Sequence, residues 1–134
     1  MATVFTISFT LVAVSAQQDF FSFKALDDAP LTILGCYLSN TSIGTDAGDA
    51  SEEFWCVEIC RGNTTIGSGG SNPTGRPLRT KEVTTLPTTN LRANDTTKIN
   101  TGTRVLLHAD GFNVRTGWQY QPTPETWITS DEAD

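Results

Sequence analysis

Apolar and polar residues alternate with a period of two at the start of the chain: Phe5, Ile7, Phe9 and Leu11 interleave with Thr6, Ser8 and Thr10. A strand sends successive side chains to opposite faces, so this pattern predicts a first strand over residues 1–14. Phe20–Lys24 (FFSFK) predicts a second, and Leu31–Leu38 (LTILGCYL) a third, with Gly35 marking a bulge or a close backbone approach. The densest run of strand formers is Glu52–Arg61, EEFWCVEICR. It places Trp55, Val57 and Ile59 on one face, and Phe54, Cys56, Glu58 and Cys60 on the other. Both faces are largely apolar, which predicts a central strand covered on two sides. Thr103–His108 and Asn113–Tyr120 read as two further strands joined through Ala109-Asp110-Gly111-Phe112, since Asp-Gly favours a tight hairpin turn. A last short strand is expected over Glu125–Thr129.

Between these lie the breaks. Leu26–Pro30 is a turn by its Asp and Pro content. Ser39–Ser51 is a polar loop, and Gly62–Pro87 is a long Gly/Ser/Pro-rich loop with one helical turn near Leu78–Val83. A loop of that length inside a compact domain is usually functional or disordered. Thr88–Asn100 is polar and Thr-rich, and residues 130–134 form an acidic tail. Short strands at turn-separated intervals predict an all-β fold, an antiparallel β-sandwich or jelly-roll-like barrel with long loops, over a single domain of residues 1–134. The open edges of such sheets predict a homo-oligomer, a trimer among the options.

Composition narrows the function classes. With a net charge of −6 and a pI near 4.6, the chain lacks the basic surface a phosphate-backbone binder needs, so no nucleic-acid partner is expected. The first apolar run is too short and too polar to span a membrane. It ends in Val14-Ser15-Ala16, which has the spacing of a signal-peptidase site, but the first basic residue is Lys24, so a charged leader start is missing. Three cysteines leave at least one thiol free or paired between chains.

Candidate chemistry is thin. Gly70-Ser71-Asn72-Pro73-Thr74-Gly75 has the two-glycine spacing of a phosphate loop, but Arg76 and Pro77 stand where Lys and Ser/Thr belong, and a flexible surface loop is expected instead. Cys36, Cys56, Cys60 and His108 make a zinc-like set on paper. On a strand, however, Cys56 and Cys60 are separated by ~13 Å, too far for one ion or for a disulfide. Packing thiols are expected, with a bridge from Cys36 to Cys56 or Cys60 as the alternative. His108, the single histidine, has no Gly-x-Ser-x-Gly partner motif. Asp27-Asp28 and Glu52-Glu53 are sequence neighbours that strands point apart, so they do not form an acid/base pair. Trp55, Trp118, Trp127 and Tyr120 could make a sugar-binding platform, although packing is the commoner fate of such residues. Asn40, Asn63 and Asn94 head Asn-x-Ser/Thr sequons, which matter only in a secreted chain. No catalytic, metal or cofactor residue is expected, and no enzyme activity.

Several segments together resemble a family of short β-rich proteins encoded among the structural genes of tailed bacteriophages. They are Gln17–Phe21 after the alternating strand, Asp27–Leu31, Gly48–Glu53, Arg61–Gly70, Asn94–Thr97, Leu107–Arg115 and Tyr120–Glu125. The resemblance implies a virion component, a capsid decoration or cement protein that binds the major capsid protein lattice or other virion proteins. It also implies that the first segment is a retained strand and that the chain assembles in the host cytoplasm. Similar proteins continue into one or two further strands beyond the position of Asp134. Ser39–Ser51 and Gly62–Pro87 are the loops expected to make the contacts. The alternative is a secreted, glycosylated β-domain that binds carbohydrate.

Overall fold

The structure, a computed structural model, describes residues 3–9, 16–26, 29–39, 54–82, 86–113 and 116–130. It is all-β: β1 (Phe5–Thr6), β2 (Asp19–Phe23), β3 (Leu31–Ile33), β4 (Cys36–Leu38), β5 (Phe54–Asn63), β6 (Arg76–Pro77), β7 (Leu91–Asp95), β8 (Gly102–Asn113), β9 (Trp118–Tyr120) and β10 (Ile128–Ser130). Two 3-10 turns, Thr88–Asn90 and Pro124–Thr126, are the helical content among the described residues. The strands pair antiparallel in twos: β1 with β6, β2 with β7, β3 with β10, β4 with β9 and β5 with β8. Three of these pairs are nested, β5·β8 inside β4·β9 inside β3·β10.

The expected alternation at the start of the chain is present, with Phe5, Ile7 and Phe9 turned inward and Val4, Thr6 and Ser8 outward. The ladder itself is shorter than residues 1–14, because β6 offers only Arg76 and Pro77 as partners. Residues 10–15 lie outside the described part. The single third strand over Leu31–Leu38 is two strands that change partner at Leu34-Gly35. A Cβ at Gly35 would stand 3.2 Å from the Tyr120 carbonyl oxygen, so the expected close approach is found there. In place of the helical turn expected near Leu78–Val83 there is a single hydrogen-bonded turn, Glu82 N–H donating to the Arg79 carbonyl at 3.1 Å, and Val83 lies outside the described residues.

Two expectations fail for identifiable reasons. The hairpin at Asp110-Gly111 does not form. β8 runs straight through it, Gly111 keeps φ outside the left-handed region, and Asp110 and Gly111 face Val57 and Cys56 of the ten-residue β5. A long partner strand outweighs a local turn preference. The chain reverses later, at Thr116-Gly117, where the Thr116 N–H and hydroxyl both donate to the Asn113 carbonyl at 3.0 Å; of the expected Asn113–Tyr120 strand, Asn113 ends β8, residues 114–115 lie outside the described part, and Trp118–Tyr120 forms β9. The second failure is the centre of the fold. β5 buries neither face completely: Trp55, Val57 and Ile59 are half-buried, while Phe54, Cys56 and Glu58 are exposed.

The most buried strand is β7, in the segment that reads as polar and Thr-rich. Leu91, Ala93 and Asp95 are at most 1% exposed. Both edges of β7 are occupied. β2 pairs along one (Phe23↔Leu91, Phe21↔Ala93, Asp19↔Asp95). On the other, Ser71 exchanges backbone hydrogen bonds with Ala93 at 2.8 and 2.9 Å. Ala25, Leu86 and Trp118 complete the buried apolar set. We expect Leu91→Ala to lower unfolding free energy by ~2–5 kcal/mol in urea denaturation, whereas Leu106→Ala, at a half-exposed position of β8, should change it by less than about 0.5 kcal/mol.

Candidate functional site

The described residues offer three places where chemistry could reside: a cleft beside β8 and β9, the outer face of the β5–β8 sheet, and the glycine-rich loop on β7.

The cleft is built by two strands that meet through Trp118. Gly117 has φ +73°, and a Cβ there would lie 2.6 Å from the Leu38 carbonyl, so glycine is what lets β9 close against β4. That contact sets Trp118 opposite Leu38 and Tyr120 opposite Cys36. The Trp118 indole N–H donates to Asp110 Oδ2 at 3.2 Å, and the Gly111 amide donates to Asp110 Oδ1 at 2.9 Å. His108 stands with its ring centroid 4.9 Å from that of Tyr120 and 6.2 Å from that of Trp118. Trp118 and Tyr120 stack at 6.1 Å. Around these groups lies an open cleft of about 450 Å³, whose lining includes His108, Asp110, Gln119, Tyr120, Gln121 and Thr126. Asp110 braces the tryptophan through its bonds to the indole and the Gly111 amide, and among the described residues no hydrogen bond joins it to His108.

On the outer face of the β5–β8 sheet, Phe54 is 74% and Leu106 53% exposed, with Cys56 exposed beside them. Arg104 crosses this face, its guanidinium paired with Glu58 and its Nε donating to Cys60 Sγ at 3.1 Å. Hydrogen bonds to Glu58 first, then to Cys60, hold the Arg104 pKa above its ordinary value. The face therefore carries two large apolar side chains and an internally neutralised charge pair, an arrangement suited to contact with another protein surface.

The glycine-rich loop binds an anion of its own chain. The Asp95 carboxylate, 1% exposed, accepts from the Gly70 amide at 3.0 Å and from Arg92 Nη2 at 2.6 Å. Arg92 also donates to Asn72 Oδ1 at 2.9 Å, and the Asn72 amide donates to the Thr88 and Leu91 carbonyls at 2.8 and 3.0 Å. A Cβ at Gly67 would fall 2.4 Å from Asp95 Oδ2, and one at Gly70 2.1 Å from the Ala93 carbonyl. The loop is thus held to β7 by these bonds while Ser68–Asn72 stay exposed, a surface loop as its composition predicts.

The other candidates scatter. Cys36, Cys56 and Cys60 are free thiols. Cys36 faces Tyr120, Cys56 faces Gly111 and Cys60 faces Leu106, so the expected packing role fits Cys36 and Cys60 but not the exposed Cys56, and neither bridge from Cys36 is formed. The tryptophans do not make one platform. Trp55 packs with Phe20 and Phe112 at 6.3 and 6.2 Å between centroids, Trp118 is 7% exposed, and Trp127 stands apart on the surface. Asn63 Oδ1 is buried and Asn94 Oδ1 accepts from Gln18 Nε2, so both side chains are turned into the fold. Asn40, Asp27-Asp28 and Glu52-Glu53 lie outside the described residues, as does most of Ser39–Ser51. Gln119, Gln121 and Thr126 carry no motif, and only tertiary contact brings them to His108.

No protein-family model, curated protein or solved structure matches the chain.

Two measurements check this geometry. Asp95→Ala leaves the Gly70 amide and the Arg92 guanidinium without their partner, and we expect a loss of ~2–4 kcal/mol in denaturant unfolding, with Asp95→Asn losing less because one acceptor remains. Burial raises the Cys36 thiol pKa, which keeps it protonated and slow as a nucleophile. Peptide mapping after iodoacetamide treatment near neutral pH should therefore show Cys56 labelled first and Cys36 last, with the Cys36 rate rising only as pH passes above the ordinary thiol range.

Proposed function

We propose that this chain is a non-enzymatic virion structural protein, a capsid decoration or cement protein of a tailed bacteriophage that adheres to the major capsid lattice. The observation that carries the reading is the outer face of the β5–β8 sheet. The sequence EEFWCVEICR is apolar on both sides of the strand, yet only the Trp55–Val57–Ile59 side is covered by the chain itself. The layer that would cover Phe54, Cys56 and Leu106 is then supplied by another subunit. The nested pairing of β5·β8, β4·β9 and β3·β10 supports the finer reading of a jelly-roll-like fold, which arises when one long antiparallel hairpin is folded over on itself. The likeness of segments such as Arg61–Gly70 and Leu107–Arg115 to short phage structural proteins points the same way.

Binding of this kind is adhesive. Stable protein interfaces need ~800 Å² from each partner, and a single two-stranded face supplies only part of that. A further exposed apolar group at Leu78, 63% exposed, would extend the contact to a neighbouring subunit. Each added contact stabilises the shell by mass action, because the protein binds only the assembled state.

The secreted alternative receives less support, since two of its three sequon asparagines are held inward. The test is co-sedimentation of the purified chain with the heads of the phage that encodes it. We expect saturable binding at a fixed ratio of copies per shell. Phe54→Asp and Leu106→Asp should each weaken binding by at least about tenfold while leaving unfolding free energy nearly unchanged. An intact mass showing removal of residues 1–16 together with added glycan would sink this reading in favour of the secreted one.

A further inference from the structure

We propose that the cleft between β8, β9 and the Pro124–Thr126 turn binds a neutral sugar. The site is separate from the shell-contact face. His108 and Asp110 lie opposite Ile59 and Val57, on the side of the sheet away from Phe54, so neither proposal rests on the other.

The size comes first. A cleft of about 450 Å³ falls in the range that accommodates small ligands, roughly 300–1,000 Å³, and leaves room for one or two hexose rings. Its wall is aromatic where His108 and Tyr120 meet. A pyranose presents a patch of C–H groups on one face, and these pack against aromatic rings, while its hydroxyls need hydrogen-bond partners at the edge.

Those partners are present. Gln119 shares its face of β9 with Tyr37 and is turned from Tyr120, but its Nε2 donates to Gln121 Oε1 at 3.2 Å, which fixes the Gln121 amide and leaves that amide's hydrogens available. The Asp110 oxygens each hold one protein donor and keep a further lone pair. The Thr126 hydroxyl donates to the Thr123 carbonyl at 3.1 Å and lies 3.4 Å from the Thr123 hydroxyl, which leaves it one lone pair as an acceptor. Donors and acceptors are mixed, as a polyol requires.

Charge decides against the competing ligands. The lining contains no Lys or Arg, so a phosphate or carboxylate ligand would face Asp110 with no cation to hold it. A small organic cation would find one carboxylate, but the Gln121 amide donor would have nothing to do. A neutral polyhydroxyl ring uses all of these groups.

The experiment is a titration of the ¹⁵N-labelled full chain, followed by backbone, glutamine side-chain and Trp118 indole N–H signals. The probes are glucose, galactose, N-acetylglucosamine and cellobiose, with inorganic phosphate and tetramethylammonium alongside. At least one sugar should shift the Gln119, Gln121 and Trp118 signals saturably, with Kd on the order of 1 mM, as expected for an open single site. Gln121→Ala, at an exposed position that leaves the fold intact, should weaken that sugar at least fivefold, and Asp110→Asn should do so as well while retaining an acceptor for the Trp118 indole. Three results would overturn the proposal: no shift with any sugar up to about 50 mM, shifts produced by phosphate or tetramethylammonium and by no sugar, or sugar-induced shifts confined to Trp127. Equal affinity in Gln121→Ala and the unmodified chain would also overturn it.

Discussion

The burial of the Asp95 carboxylate is the constraint that the rest of the structure accommodates. Removing a charged carboxylate from water costs several kcal/mol unless charged and hydrogen-bonding partners replace the lost hydration. Here Arg92 and the Gly70 amide supply them, and the approach of a loop backbone to within bonding distance is open only where side chains are missing. Gly67 and Gly70 meet that requirement. Because the loop is drawn in, Ser71 can pair with Ala93, Asn72 can hold the Thr88–Leu91 corner, and β7 acquires a covered second edge. Arg92 remains partly hydrated, at 17% side-chain exposure, which lowers the cost of enclosing the pair. The hydrophobic centre at Leu91 and Ala93 therefore sits next to, and depends on, a polar clamp.

Where sequence pattern and structure agree, the decisive interactions are local. The Thr3–Phe9 alternation persists because a strand's two faces are set by its own pleat, whichever partner it finds. The same holds for the two faces of Phe54–Ile59. Disagreement begins where a distant segment decides the outcome. Nothing in Leu91-Arg92-Ala93-Asn94-Asp95 marks a core strand, since three of the five residues are polar and their partners outside the strand, the Gly70 amide, Asn72 and Gln18, are distant in sequence. Asn94 even adopts φ +56°, a conformation that the sequence of a regular strand would not suggest. Asp110-Gly111 is a turn signal overruled by the length of its partner strand. The cleft was partly legible: His108 and Tyr120 stand out as single residues, but their meeting with Gln119, Gln121 and Thr126 depends on β9 docking against β4, which no local pattern encodes.

The two surfaces differ in character in a way that suits separate tasks. The outer side of the β5–β8 sheet carries the exposed Phe54 and Leu106 and the Arg104–Glu58 pair, and its ladder shifts register at Ile59/Cys60 and Arg61/Asn63. The cleft is open and aromatic, with the Gln119–Gln121 amide pair at its rim. Apolar faces favour contact with another folded surface, whereas concave sites favour a small soluble molecule. The proposed shell contact and the proposed sugar site thus lie on opposite sides of one two-stranded sheet.

The nested order of strand pairs has a kinetic consequence. Joining Ile33 to Ile128 directly would close a loop of more than two-thirds of the chain, and entropy makes such a search slow. Once Asn63 and Gly102 have met and β5 has zipped along β8 to Phe54 and Asn113, β4 and β9 are brought near each other, and β3 and β10 after them. Each closure shortens the next one. The order of assembly then runs from the innermost pair outward, so a fault at the Asn63–Gly102 end delays every later step, while a fault near Ser130 delays only the last.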